Sequence, residues 1–235
     1  MQILESSVLG LRTARMVFRA RNSAASVTLY PMVHVGEERF YKETYEEAFS
    51  HDIVLVEGVR SSVVWSLTRS YRWLDFGRLG LIAQPKTPPQ NSVAARIVQA
   101  DLTPDEFHRE WRKVSLPLRA AFLTASPLYG LHGRYFSSRE RLARNMCLED
   151  RQSADESSRP FEPVHHSVIH MRDKRLVACM AAELDGANGS DMRMAIVYGA
   201  RHMRAALREL SRRGFHCSQT TWRTIFSLGR LKTVR

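Results

Sequence analysis

Between residues 27 and 57 the apolar pattern changes period twice, and few folds can absorb that. Residues 27–33, ending "TLYPMV", form a short apolar run followed by His34 and Gly36. In "EERFYKETYEEAF" the residues Tyr41, Tyr45 and Phe49 recur at i, i+4 and i+8, with Phe40 and Ala48 beside them. That is the stripe of an amphipathic helix whose glutamates face water. "DIVLVEG" then gives a continuous apolar strand ending in Glu57. Strand, helix and strand within about 30 residues predict a βαβ unit with a parallel strand pair.

The flanking segments extend this pattern. Residues 14–21 and 27–33 read as two strands of a hairpin turning at "RNSAA". Residues 61–84 are helical or mixed, and "QPKTPPQNS" is a proline-rich loop. From about 92 to 147 the pattern is mostly helical; in "TPDEF", Thr103 caps a helix with Pro104 in its first turn. "RQSADESSRPFEP" reads as a loop and "HSVIHMRDKRLVACMAAEL" as a long helix. "RMAIVYG" is a strand, "RHMRAALRELSRR" a helix stopped by Gly214, and "FHCSQTTWRTIF" one or two strands. The expectation is a single α/β domain over 1–235. Its central sheet is mixed and largely parallel, flanked by helices, with βα units at both ends of the chain and a helical insertion at about 61–150.

Composition excludes several classes. Hydrophobic residues at 44% and charged residues at 25% are ordinary globular values, which argues against wholesale disorder. No apolar run approaches the ~20 residues of a membrane span, and the N-terminus lacks a basic region followed by a clean apolar one. Three widely spaced cysteines, Cys147, Cys179 and Cys217, form no CxxC motif and fit a reducing compartment, so a cytoplasmic location is expected. The net charge of +11 comes from dispersed arginines, and seven carboxylates crowd Glu37 to Glu57. With no recognition motif and no basic–aromatic interleaving, nucleic acid is not the expected partner. No glycine-rich phosphate loop, GxSxG elbow or HExxH occurs.

The candidate chemistry lies at strand ends. His34, Glu57 and His202 each follow an apolar run, and open parallel sheets bind ligands beyond the carboxyl ends of their strands. Two imidazoles and a carboxylate suit Zn, Mn, Co or Fe. Each residue also has a plainer reading: the histidines as loop or cap residues, Glu57 as half of an ion pair. Gly199 relieves crowding at a tight strand-to-helix turn. Arg172 falls in the stripe Ile169, Leu176, Met180 and seeks an anion, either Glu57 or a substrate oxygen, unless it snorkels at the edge. Asp173 points elsewhere by helical spacing. Arg139 is a weaker candidate of the same kind, and His165, His166 and His170 are less informative.

Taken together, "VTLYPMVHVGEERFYKETYEEAFSHDIVLVEGV", "RDKRLVACMAAEL" and "MAIVYGARHMRAALRELSRRGF" resemble the TraB/PrgY/GumN family, which includes the Tiki proteases. The matching segments, about 27–60 and 167–226, fall in family order. The resemblance implies membership of a superfamily that also holds erythromycin esterases and haem-associated ChaN-like proteins. It implies a metal-dependent hydrolase, peptidase or esterase in type, that acts on a peptide or small-molecule substrate with a divalent metal (Mn, Co or Zn). His34, Glu57 and His202 would be metal ligands; Glu57, Arg172 and His34 would be catalytic, with Gly199 structural. The sequence departs from the family at Pro31, which stands where a glycine opens the first motif. Proline lacks an N–H and cannot take positive φ. That departure favours the alternative: an inactive protein of the same fold that binds or sequesters a peptide or small ligand.

Overall fold

The computed structural model describes residues 2–59, 61–67, 73–85, 95–152, 169–187 and 190–229. The expected hairpin is β2 (Gly10–Ala20) against β3 (Ser23–Met32), antiparallel with Met16 opposite Leu29. β1 (Leu4–Ser7) pairs with the start of β2. The C-terminal segment is one long strand, β9 (Phe215–Ser227), which pairs along the whole of β2. A separate two-stranded ribbon joins β4 (Val35–Gly36) to β6 (Ile82–Ala83).

The rest of the mixed sheet is parallel. The order runs β3, β8 (Arg193–Gly199), β5 (Ile53–Val56), β7 (Arg96–Gln99). β3 and β5 therefore share a sheet and a direction but are not neighbours as expected, because β8 lies between them. Burial accounts for the order. Met194 through Tyr198 of β8 are all buried, so this strand gains most from a central position covered on both faces.

The sheet is flanked by helices. α1 (Glu38–Ala48) buries Phe40, Tyr41, Tyr45 and Ala48, the face its sequence period marks out. α2 (Ser62–Leu67) and the single turn α3 (Phe76–Leu79) follow β5. α4 (Pro104–Lys113) opens with a full capping box: Thr103 Oγ1 accepts from Glu106 N, and Glu106 Oε2 accepts from Thr103 N. α5 (Leu116–Phe136), α6 (Arg139–Gln152), α7 (Met171–Gly186) and α8 (Met203–Arg212) complete the set. Gly214, at φ +80°, ends α8 in the left-handed turn expected of it.

The stretch at about 61–150 is not wholly helical, since it contains β7. This strand is a short sheet edge with Ile97 47% exposed, so it lacks the continuous apolar run that marks β5 and β8. Most of "QPKTPPQNS", the loop "RQSADESSRPFEP" beyond residue 152, and His165 and His166 lie outside the described residues. No helix among the described residues is long and apolar enough to cross a membrane.

Candidate active site

Four adjacent parallel strands end on the same side of the sheet, and each delivers a polar residue there. His34 follows β3, Gly199 ends β8 with His202 one 3₁₀ turn later, Glu57 follows β5, and Asp101 follows β7. Arg172, in the first turn of α7, reaches across them. Its Nη2 donates to Glu57 Oε1 at 2.5 Å and to Asp101 Oδ2 at 2.6 Å, while Nε donates to Asp101 Oδ1 at 2.9 Å. The arginine in the apolar stripe has therefore found two anions. Asp101 also accepts from the backbone N–H groups of Gly58 and Leu102.

Glu57 uses its other oxygen on β8. Gly199 N donates to Glu57 Oε2 at 2.5 Å. The backbone of Gly199 is extended (φ −53°, ψ 137°), so turn geometry does not require glycine. Contact requires it instead: a Cβ at this position would stand 2.9 Å from Glu57 Oε2 and 3.5 Å from His202 Cδ2. Crowding at the strand-to-helix turn was the expectation; the crowding group is the carboxylate itself.

His202 is buried, with its ring edge-on to Tyr198 at 5.1 Å. Its Nδ1 lies 2.7 Å from Asp173 Oδ1. A carboxylate only accepts, so Nδ1 carries a proton, and in the neutral ring Nε2 is the acceptor. Asp173 does not point elsewhere, as helical spacing suggested. α7 packs against α8 as well as β5, so two of its faces are covered rather than one stripe.

His34 sits at the solvent-exposed rim. The chain beside it is pinned by Tyr41 Oη donating to Val33 O and by Gln84 N donating to His34 O. The protein packed around the ring lowers its pKa; Glu57 opposes this, and Arg172 and His202 reinforce it. For Glu57, burial alone would raise the pKa. The Arg172 guanidinium, with smaller help from His202 and His34, outweighs burial and holds the carboxyl at about 2. Burial would weaken the charge on Arg172, but Glu57 and Asp101 push its pKa well above the ordinary arginine value. Glu57 and Arg172 are thus fixed as ions.

The donor set does not fit the three-ligand centre that the motifs imply. Both oxygens of Glu57 are engaged, by Arg172 and by Gly199. Among the described residues, no group of three His, Cys, Asp or Glu side chains is disposed to hold a metal ion. Pro31 is buried in β3 and its carbonyl accepts from Thr13 Oγ1 at 3.1 Å. The β2–β3 register ends at Leu29, before the proline, so its missing N–H costs no bond in that ladder. Arg139 is elsewhere: it donates to Glu37, Leu79 O, Gly80 O and Ser227 O, a staple between α1, α3 and β9. His170 is exposed at the start of α7.

Two members of the site, Asp101 and Asp173, were not among the expected residues. An acid directly after "RIVQA" was a usable signal for Asp101, had that run been read as a strand. No family model matches the chain, and neither a curated protein nor a solved structure does so.

Proposed function

We propose that this protein is a hydrolase of amide or ester bonds, working by acid–base chemistry at the ends of β3, β8, β5 and β7. The observation that carries the reading is the His202–Asp173 pair, set beside a carboxylate–arginine group that is locked before any substrate arrives. With Nδ1 bonded to Asp173, His202 presents Nε2 as the base that takes a proton from an attacking water. The imidazolium formed at His202 then returns that proton to the leaving group, and His34, whose pKa its surroundings lower, stands beside it as a second imidazole able to accept one.

Charge decides the role of Arg172. One guanidinium faces two carboxylates, so the group carries a net negative charge and is a poor stabiliser of an oxyanion. Arg172 instead holds Glu57 and Asp101 in place and so fixes the three strand ends to α7. The family resemblance supports hydrolysis as the reaction class and makes a peptide or small ester the substrate class. Of the metal ligands it implies, Glu57 already accepts at both oxygens, from Arg172 and from the Gly199 N–H.

A second reading, a ligand-binding protein without turnover, is favoured by Pro31 at the motif glycine. One experiment separates the two. Chelator-stripped protein, His202→Ala and His34→Ala are assayed on a panel of aryl esters and peptide amides. Turnover by the stripped protein, lost about a hundredfold or more in His202→Ala, supports the acid–base reading. Turnover that returns only with added Mn or Co overturns it in favour of a metal hydrolase. No turnover under any condition leaves the binding reading.

A further inference from the structure

The 21-residue helix α5 presents an apolar face to solvent. Its inner side packs through Phe122, Ser126, Gly130 and Gly133. Ser126 Oγ donates to Ser66 O at 3.1 Å, and a Cβ on Gly133 would stand 3.0 Å from Leu74 Cδ2. The opposite side runs Ala121, Thr124, Leu128, Leu131, Tyr135, at alternating spacings of three and four. Leu128 is 68% exposed and Tyr135 66%, and Leu116, Tyr129 and Phe136 flank the stripe at similar exposure. Most of the exposed large hydrophobic side chains among the described residues lie on this one helix. A face of this kind in a soluble monomer marks a surface that meets something.

Charge identifies what it meets. α5 contains no carboxylate; its basic residues are Arg119, half-buried with its Nε enclosed, and the exposed His132 and Arg134. The exposed Arg112 and Arg144 stand on the helices before and after it, and the chain as a whole carries +11. A second copy would set these cations against their own kind, with no acid on the helix to neutralise them. The helix is not apolar enough to cross a bilayer, but leucines and tyrosines between arginines suit a helix lying flat at the headgroup level. We propose that the outer face of α5 docks on an anionic lipid bilayer. Leu128, Leu131 and Tyr135 enter the interface, and the flanking arginines meet the headgroup charge. The proposal is independent of what the strand-end site does.

The test is co-flotation of the full chain with vesicles of phosphatidylcholine alone or of phosphatidylcholine mixed with phosphatidylglycerol, at low and high salt. Binding should appear with the anionic vesicles, be weak with the neutral ones and fall as salt rises. Leu128→Glu/Tyr135→Glu should lower partitioning about tenfold or more with an unchanged circular dichroism spectrum. Arg134→Glu, which leaves the apolar face intact, should also weaken it. Equal binding by the double variant and wild type would overturn the proposal, as would no flotation with anionic vesicles. Light scattering of the free protein supplies the remaining outcome: a dimer that Leu128→Glu/Tyr135→Glu dissociates would assign the face to a second copy instead.

Discussion

In the antiparallel half of the sheet one carboxylate serves two arginines; in the parallel half one arginine serves two carboxylates. Glu47 on α1 pairs with Arg15 of β2 at 2.6 Å and with Arg223 of β9, and both guanidinium groups lie over the Tyr30 ring, at 5.8 and 5.9 Å. This group sits over the middle of paired strands, where backbone hydrogen bonding continues on both sides. Burial pushes the Tyr30 phenol up to about 12, so it stays protonated. The Arg172 group sits where the ladder ends, and its carboxylates accept from the N–H groups of Gly58, Leu102 and Gly199. The difference teaches that a buried ion cluster marks a candidate site only by its place. Mid-strand it ties a helix to a sheet; beyond the strand ends it stands beside two imidazoles, where the proposed chemistry would use it.

The comparison breaks first if the two groups respond alike to losing their central member. Arg172→Met leaves Glu57 and Asp101 without their cation and should cost roughly 3–5 kcal/mol. Glu47→Gln, in a group nearer to solvent, should cost roughly 2 kcal/mol. Urea unfolding of the two variants checks the ranking.

Acid should reveal the same asymmetry. Glu57 has a folded pKa of about 2 against an ordinary 4.5. A depressed carboxyl stabilises the fold above its unfolded pKa and loses that contribution as pH falls through the folded one. At roughly 1.4 kcal/mol per pH unit this amounts to roughly 3–4 kcal/mol, present at neutral pH and lost between about pH 4.5 and 2. In Glu57→Gln that part of the acid limb should vanish from the pH dependence of unfolding.

Asp173→Asn sharpens the catalytic side. It keeps the shape but frees the tautomer of His202, so hydrolysis should drop about a hundredfold while the melting temperature stays near wild type. An equal loss in both would make Asp173 a structural residue. Gly199→Ala should destabilise by roughly 1–3 kcal/mol through the Glu57 contact, without any backbone strain. Gly214→Ala, at a position with open space around it, should lose only about 1 kcal/mol from its positive φ. The smallest effect is for chelation, which should leave both the melting temperature and any hydrolysis unchanged.

Much of the site was legible in the sequence because strands β3, β5 and β8 announce themselves as apolar runs and their next polar residues stand out. His34, Glu57, Gly199 and His202 were found that way, and Arg172 by its intrusion into an apolar stripe. Asp101 was not, because β7 is four residues long, half-exposed and embedded in a helical stretch. Asp173 was lost to the assumption that α7 hides a single face. The placement of β8 between β3 and β5 could not be read locally, since it depends on which strand gains most from the centre. No window of sequence contains that comparison.

β8 occupies the gap between two strands made more than a hundred residues before it. During synthesis the hairpin, α1 and β5 leave the ribosome while the strand that must separate β3 from β5 has not been made. Until residues 193–199 arrive, Glu57 lacks the Gly199 N–H and His34 has no His202 facing it. The early chain must therefore wait with an open seam in its sheet, or close it with a non-native β3–β5 pair that later has to part. A chain halted before residue 193 would hold Arg172, Glu57 and Asp101 but neither the Gly199 N–H nor His202, the two groups that β8 and the turn after it bring.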